Sequence, residues 1–359
     1  MPDLVINYGT DIINMTIEAL KNSCVDKILR KDMKVSIKPN LVLASPAETG
    51  ATTHTAVVEG IILFLRELGV SNIKIIEGSW VGDSTDRAYK ICGYYDLANK
   101  YKLEIVDLKK DKTKVFNVQG MDIAVCREAL ETDFLINVPV LKAHCQTDLT
   151  CCLKNLKGCI PDTEKRHFHQ MGLHRPIAAL NTIIKTGLCV VDGICGDLTF
   201  EEGGNPIEKN MILVGTDPVL IDSYCAKLIG YQPEEIDYIK YAQTLGVGRI
   251  IDASSEILEL NTDKKPKIKT VRSNIARSLG KYINEKDSCS ACYSALIHAL
   301  HKVSEGDKRK LRGKINIGQG FRGQTVDGIG SGNCTKGCSH FVKGCPPTAA
   351  DIVKFIEEL

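Results

Sequence analysis

Short apolar segments alternate with segments of helical periodicity along the first 110 residues. The predicted strands cover residues 34–37, 72–76 and 104–107. Between them, residues 53–68 place apolar side chains at the spacing of a helix with one buried face, and a shorter helix is predicted from about residue 86 to 92. This alternation predicts a mostly parallel sheet with helices on both of its faces.

The alternation of predicted strands and helices continues from residue 133 to residue 229. Residues 133–141 form an apolar, β-branched run typical of a strand buried on both sides, and further strands are predicted at 187–192 and 211–214. Asp217 and Pro218 suit the N-cap and first position of a helix over residues 219–229. The sequence therefore predicts an α/β fold.

A polar, lysine-rich stretch at residues 245–275 indicates a boundary. We predict an α/β main domain over residues 1–275, with two lobes at about 1–130 and 131–275 as a further option. The remaining residues, 276–359, are rich in cysteine and form a predicted small module.

Composition narrows the functional classes. The 359 residues are 43% hydrophobic and 25% charged, with a formal net charge of +2, so we expect no nucleic-acid or membrane partner. The first residues lack the basic region of a signal peptide, and we expect a cytoplasmic protein. Fifteen cysteines in a reducing compartment indicate metal binding rather than disulfides, and hint at an anaerobic host.

Five cysteines in the last 71 residues have the spacing of metal ligands. They are Cys289, Cys292, Cys334, Cys338 and Cys345. Cys345 precedes two prolines, and a Cys-Pro step is typical of iron–sulfur ligation. The alternative is a structural zinc site.

We predict that Cys289, Cys292, Cys334 and Cys345 hold one cluster, and that Cys338 is an ordinary thiol near it. The predicted cluster is [4Fe–4S], with [2Fe–2S] as the lesser alternative. The segment that follows Cys289 is helical, and a helix N-terminus stabilises negative charge on thiolates and sulfides.

Polar residues follow several predicted strands at their carboxyl ends, where ligands bind in parallel sheets. The predicted cofactor-binding residues are Asn40, Thr53, His54 and Glu77.

Lysine and histidine are concentrated between residues 137 and 176. The catalytic candidates are Lys142, His144, Lys154, Lys157 and His174. Such side chains suit an anionic substrate or a proton transfer, and we expect them to converge beside Asn40, His54 and Glu77. The sequence fits a structural or solvated role for His167 and His169 as well as it fits a functional one. The cysteines of this block are predicted core residues.

Several motifs resemble a family catalogued as domain of unknown function 362, which contains iron–sulfur proteins. They are IKPNLV, TGATTH, EGSWVG, INVPVLKAH, LKNLKGC, VVDG and VGTDPVLID, in this order between residues 37 and 222. The ending, CSAC followed by GNCT and GCPP, resembles a cluster-carrying branch, in which the ligands fall on Cys289, Cys292, Cys334 and Cys345.

The main domain of this family is similar in fold to the nickel-pincer lactate racemases. Those enzymes tether a nickel nucleotide to a lysine and use histidines as metal ligand and acid or base. Lys142, His144, Lys154 and His174 are counterparts in kind. The resemblance does not carry the pincer cofactor to this chain, because shared fold does not transmit chemistry.

The function expected from these features is that of a redox enzyme or electron-transfer protein. It would use a small anionic substrate or cofactor and an electron-donor protein. Two alternatives stay open, namely a non-redox racemase-like or lyase-like metalloenzyme with a structural cluster, and a cluster-carrying maturation protein. The glycine-rich segment at 318–332 lacks the G-x-G-x-x-G pattern of a βαβ unit, so NAD is not expected.

Overall fold

The computed structural model describes residues 2–199, 202–267, 275–311 and 313–359. The strands in these ranges are β1 (Leu4–Tyr8), β2 (Val35–Pro39), β3 (Ile73–Glu77), β4 (Glu104–Asp107), β5 (Thr113–Val118), β6 (Met121–Cys126), β7 (Phe134–Val138), β8 (Lys142–His144), β9 (Asp148–Thr150), β10 (Thr186–Asp197), β11 (Pro206–Gly215), β12 (Ile257–Leu260), β13 (Ile283–Glu285), β14 (Ile315–Ile317), β15 (Val326–Ser331) and β16 (Cys338–Val342).

The helices described are α1 (Ile12–Asn22), α2 (Thr55–Glu67), α3 (Thr85–Ile91), α4 (Tyr94–Tyr101), α5 (Cys152–Asn155), α6 (Asp162–Gln170), α7 (His174–Ile183), α8 (Pro218–Leu228), α9 (Asp237–Thr244), α10 (Ile275–Leu279), α11 (Ser290–Lys302), α12 (Glu305–Lys308) and α13 (Ala349–Glu357). Within the described ranges, no helix combines the length and the apolar character needed to span a membrane.

One eight-stranded sheet organises the main part of the chain, in the order β12-β1-β11-β10-β7-β2-β3-β4. The run β10-β7-β2-β3-β4 is parallel, and β11 pairs antiparallel with both β10 and β1. The predicted α/β class with a mostly parallel sheet is confirmed.

The sheet separates two hydrophobic cores because successive side chains of a strand point to opposite faces. In β1, Leu4, Ile6 and Tyr8 enter one core and Val5 enters the other. Helices α1 to α4 pack on the Val5 side, and α5 to α9 cover the opposite face. The carboxyl ends of β2, β3 and β7 are thereby held at one edge.

Two features of the main sheet bear on the predicted boundary and lobes. Residues 257–260 lie inside the predicted linker, but they form β12, which pairs in parallel with β1 at the sheet edge. Strands from both predicted lobes share one sheet, since β7 pairs with β2 from Val35–Phe134 to Pro39–Val138. Residues 268–274, at the end of the linker-like stretch, lie outside the described residues.

A second sheet contains β13, β14, β15 and β16 in sequence order, with all pairs parallel. Its core is built from α10, α11 and α13 with residues such as Leu296, Leu300 and Ile352. Because these strands are parallel, the loops that carry Cys334 and Cys345 leave β15 and β16 at the same edge of the sheet.

Candidate active site and metal centre

A cavity lies at the carboxyl ends of β2 and β3. Its volume is about 80 Å³, several times the ~10–15 Å³ that one water requires. Polar residues of its lining from the main sheet and its helices are Lys38, Asn40, Glu77, Thr150, Lys154, Asn155, Lys157, Lys165 and His169. Cys289 and Ser290, at the start of α11, line the same cavity. The cavity therefore joins the main sheet to the cysteine-rich segment.

The floor of this cavity is a buried ion pair. Lys38 Nζ lies 2.7 Å from Glu77 Oε2, and both side chains are almost fully buried. The Gly78 N–H donates to Glu77 Oε1 at 2.7 Å, and Lys38 Nζ also donates to the Pro39 carbonyl at 3.0 Å. Each charge thus has additional hydrogen bonds, which a buried ion pair needs to offset its desolvation.

A chain of three amides continues from this pair. Asn137 Nδ2 donates to the Cys152 carbonyl at 2.8 Å, which leaves Asn137 Oδ1 to accept from Asn155 Nδ2 at 2.7 Å. Asn155 Oδ1 then accepts from Lys38 Nζ at 3.3 Å and Asn40 Nδ2 at 2.9 Å. Since a carbonyl only accepts, the Cys152 end fixes the orientation of all three amides.

Lys165 of α6 crosses to the loop after β3. Its Nζ donates to the Gly78 carbonyl at 3.1 Å and to the Ser79 carbonyl at 2.7 Å. Burial lowers the pKa of Lys165, and the carboxylates of Asp162 and Glu77 oppose that change. Lys165 thus positions the loop that forms one wall of the cavity.

Three cavity residues were missed by the sequence analysis, namely Lys38, Asn155 and Lys165. Lys38 could have been recognised from the sequence, because a charged residue inside the buried strand VSIKP needs a partner of opposite charge or a hydrogen-bond acceptor. Asn155 and Lys165 carried no comparable signal, since only the packing of α5 and α6 brings them to this edge.

The predicted site residues lie in separate parts of the structure. Asn40, Glu77, Lys154 and Lys157 line the cavity. Thr53 supports Asn40 from behind, because its Oγ1 accepts the Asn40 N–H at 2.8 Å and donates to the Val138 carbonyl. Lys142, His144, His174 and His54 are not among the described residues of its lining.

Lys142 and His54 occupy the region around the loop before α2. Lys142 Nζ donates to the Ala51 carbonyl at 2.7 Å, and His54 Nδ1 lies 2.8 Å from Asp192 Oδ2. Burial lowers the pKa of His54, but the charge of Asp192 outweighs it and raises the pKa to about 10. His54 is therefore an imidazolium paired with Asp192 at neutral pH.

The β8–β9 hairpin directs His144 to another cavity, which it lines together with Cys145 and Gln146. His144 Nδ1 accepts the backbone N–H groups of Gln146 and Thr147 at 3.0 Å each. His174 packs on the ring of Tyr238 and accepts the Tyr238 N–H at 3.2 Å. The expected convergence of all five lysine and histidine candidates is therefore wrong, because the hairpin reverses the chain directly after β7.

The cysteine-rich segment contains four thiols whose charges influence one another. Burial raises the pKa of Cys292, and the thiolates of Cys289, Cys345 and Cys334 raise it further. Burial likewise raises the pKa of Cys289, with a second contribution from Cys334. A cation that replaces the thiol protons would relieve this repulsion.

Cys338 has a different environment. Its thiol accepts a hydrogen bond from Asn316 Nδ2 at 3.8 Å, and burial is the main reason that its pKa is raised. None of the other four thiols of this segment contributes to that shift.

Several groups around the four thiols suit a negatively charged centre. Arg322 Nε donates to Cys334 Sγ at 3.3 Å, and the charges of Arg166 and Lys157 lower the pKa of Cys289. Cys289 is the N-cap of α11, so Cys292 lies in the first turn. Four thiols beside these cations could hold a metal centre that thiolates bind.

The loop that follows β3 packs against the segment that carries the four thiols. A Cβ on Gly82, whose φ is +103°, would lie 2.6 Å from Pro346 Cδ. The Ser290 N–H donates to His169 Nε2 at 3.4 Å, and Ser290 Oγ donates to Gln146 Oε1 at 2.8 Å. These contacts hold the first turn of α11 against α6 and the β8–β9 hairpin.

Another thiol group lies in the core beneath the sheet. Cys151 Sγ is 3.8 Å from Cys152 Sγ and 3.7 Å from Cys225 Sγ, and all three residues are buried. Asp222 accepts the N–H groups of Cys152 and Leu153 at 2.7 and 3.1 Å. Asp222 thereby caps the start of α5 and holds the turn that presents Lys154 and Asn155.

One family model matches the part of the chain that forms most of the eight-stranded sheet and most of the lining of the cavity at the ends of β2 and β3. The model covers residues 35–227 and is described as Domain of unknown function (DUF362). The chain belongs to this family. The matched range includes β2 to β11, the Lys38–Glu77 pair and the amide chain, and ends before the cysteine-rich segment.

A curated relative is the "Thylakoid-associated protein sll1697" of Synechocystis sp., which is 23% identical over 225 residues. That alignment spans 60% of this chain and 68% of the relative.

Two solved structures are also similar. The lactate racemase apoprotein from Thermoanaerobacterium thermosaccharolyticum has a TM-score of 0.40 and 12% identity, over 67% of this chain and 56% of that one. A protein from Thermotoga maritima has a TM-score of 0.40 and 16% identity, over 66% of this chain and 60% of that one. Each match spans less than two thirds of the solved chain.

Proposed function

We propose that this protein is a redox protein with one [4Fe–4S] cluster, which serves a small anionic substrate in the cavity at the ends of β2 and β3. Cys289, Cys292, Cys334 and Cys345 would hold the cluster. The observation that carries the proposal is the position of Cys289, which lines the same cavity as Lys38 and Glu77. A cluster held there would supply single electrons at the wall of the cavity.

The charges of the cavity favour an anion. Its described lining contains four lysines and one carboxylate, that of Glu77. Glu77 is paired with Lys38, and Lys165 Nζ lies 3.3 Å from Asp162 Oδ1. Lys154 and Lys157 add two further ammonium groups to the lining. Ammonium groups in a partly closed, low-dielectric site attract a carboxylate or phosphate more strongly than they would in water.

The residues of the main sheet would bind and orient this substrate. Asn40 and Asn155 are locked by the amide chain, and Lys165 fixes the wall at Gly78 and Ser79. Locked side chains hold a substrate in one geometry, which lowers the entropy lost on reaction. Lys154, which lies at the end of α5, would contact its anionic group.

A reducing, cytoplasmic setting fits the proposal. All fifteen cysteines are free thiols, and ten of them lie outside the segment that would hold the cluster. Free thiols persist where glutathione and thioredoxin keep them reduced. We also propose that residues 276–359 act as a separate cluster-carrying module.

The test is anaerobic purification followed by iron and sulfide analysis. We expect about four iron atoms and four sulfides per chain, and an EPR signal after reduction with dithionite. Stoichiometric zinc without sulfide, in protein expressed and purified without oxygen, would overturn the proposal and favour a structural zinc site.

The cavity has its own test. Binding of a small dicarboxylate such as succinate should perturb the EPR line shape of the reduced cluster, because Cys289 borders the same space. A Lys154→Met variant with normal iron content should lose this perturbation. An identical effect of succinate on both proteins would contradict a role of the cavity in anion binding.

A further inference from the structure

The four proposed cluster ligands differ in their access to solvent. Cys345 is exposed, whereas Cys289, Cys292 and Cys334 are each partly buried. Cys289 lines the cavity, and Cys345 lies on the outer surface. A cluster held by these residues would therefore have one ligand at the substrate cavity and another that a partner protein can approach.

The surface around Cys345 carries exposed cations. Arg322 is exposed, and its Nε donates to Cys334 Sγ at 3.3 Å. Lys343 is exposed and lies two residues before Cys345. We call these four residues, Arg322, Cys334, Lys343 and Cys345, the Cys345 face.

Two hydrogen bonds between Asn333 and Gly344 hold the two loops of this face together. The Asn333 N–H donates to the Gly344 carbonyl at 2.8 Å, and the Gly344 N–H donates to Asn333 Oδ1 at 2.9 Å. The loop with Lys343 thus lies directly beside the loop with Cys334.

Two acidic residues lie on the elements that adjoin these loops, β15 and α13. Asp327 lies near the start of β15, at the opposite end of that strand from the Cys334 loop, and accepts from Ser339 Oγ. Asp351 accepts the Thr348 hydroxyl at 2.6 Å within the first turn of α13. Asp327 thus lies at the amino end of β15, away from the loops that carry Cys334 and Cys345.

We propose that the Cys345 face is the docking surface for an acidic one-electron carrier protein. The inference rests on the proposed function, because it requires the cluster. Complementary charge speeds encounter and selects a partner, and an exposed ligand gives the shortest approach to the cluster. Reduced carrier would give one electron to the oxidised cluster. The anionic hydroquinone of a flavodoxin would lose this one electron and become the neutral semiquinone, with no proton released.

Binding of oxidised flavodoxin, an acidic carrier, to the cluster-loaded protein tests this surface by calorimetry at low and high salt. We expect the affinity to fall as salt rises. The charge-reversal variants Arg322→Glu and Lys343→Glu should each bind about five-fold more weakly. Arg309→Glu is the matched control. Arg309 is an exposed cation of the cysteine-rich segment and directly follows α12.

Several outcomes separate this proposal from the one it rests on. Wild-type protein without iron would refute the cluster itself. Iron-loaded protein that does not bind flavodoxin, or equal loss of affinity in the Arg309→Glu control, would overturn the docking surface alone. Lys343→Glu is the clearer of the two variants, because Arg322 itself donates to Cys334 Sγ. A weaker Lys343→Glu complex with unchanged iron content and an unchanged reduction potential would support docking directly.

Discussion

Lys38 and Glu77 face each other from the carboxyl ends of neighbouring strands, with their charged atoms 2.7 Å apart and both side chains buried. This pair forms the floor of the cavity that Cys289 also lines. The pair orders the cavity through two further contacts, one from Lys38 to Asn155 and one from Glu77 to the Gly78 N–H. Its integrity should matter to both stability and ligand binding.

Removal of one partner of this pair should be costly. A Lys38→Met variant leaves the Glu77 carboxylate buried without its cation, and we expect unfolding to require about 3–5 kcal/mol less free energy. The double variant Lys38→Met/Glu77→Gln removes both charges and should recover much of that loss. Urea denaturation of the wild type, Lys38→Met, Glu77→Gln and the double variant gives the four free energies of unfolding that the comparison needs. Additive losses in the double variant would contradict the coupling.

The choice of cluster ligands is tested by single cysteine-to-serine variants. Substitution of Cys289, Cys292, Cys334 or Cys345 should abolish or greatly reduce iron binding, since each removes one of four thiolates. Cys338→Ser is the matched control and should keep its iron, because Cys338 contacts Asn316 instead. Iron and sulfide content per chain is the measurement. Equal loss in the control would show that the ligand set is wrong.

The His54–Asp192 pair predicts a dependence of stability on pH. The pKa of His54 is about 10 in the folded protein, above its ordinary value near 6.5. The stabilisation is therefore fully present below about pH 6.5 and is lost as pH rises through about 10. Between pH 6 and 10, the midpoint temperature of thermal unfolding should fall more steeply for the wild type than for His54→Gln.

An exposed histidine provides the control for that experiment. His340→Gln should follow the wild-type profile, because His340 lies on the surface of β16. Parallel wild-type and His54→Gln profiles over this pH range would show that the Asp192 pair does not titrate as described.

The contact between Gly82 and Pro346 should couple the main sheet to the cluster segment. Gly82→Ala adds a methyl that would lie 2.6 Å from Pro346 Cδ, on a backbone with φ of +103°. We expect a loss of stability larger than the ~1 kcal/mol of backbone strain alone, together with reduced iron content or an altered EPR signal.

Gly120→Ala separates strain from collision. Gly120 also has a positive φ, +79°, but among the described residues no atom beyond its chain neighbours lies within 4 Å of the added carbon. This variant should lose only about 1 kcal/mol and keep a normal cluster. Equal losses in the two variants, with equal iron content, would mean that the Gly82 contact does not support the cluster segment.

The sequence alone determined the class of fold and the chemical character of the C-terminal segment. Apolar periodicity is local, so alternating strands and helices could be read directly, and β2, β3, β4 and β7 lie within a few residues of their predicted positions. The spacing of the cysteines is also local, which is why a shared set of thiols could be proposed from it. Strand β12 escaped notice because four residues in a polar stretch give little periodic signal.

Only the tertiary structure decided which polar residues share a site. Lys38 and Glu77 are 39 positions apart and meet because β2 and β3 are neighbours, while Asn155 and Lys165 reach them through the packing of α5 and α6. Lys142 and His144 follow a buried strand, as site residues often do, yet the β8–β9 hairpin turns them elsewhere. Cys289 reaches the cavity because α11 docks on α6. Contacts of this kind depend on strand order and helix packing, which nearest-neighbour patterns in a sequence do not encode.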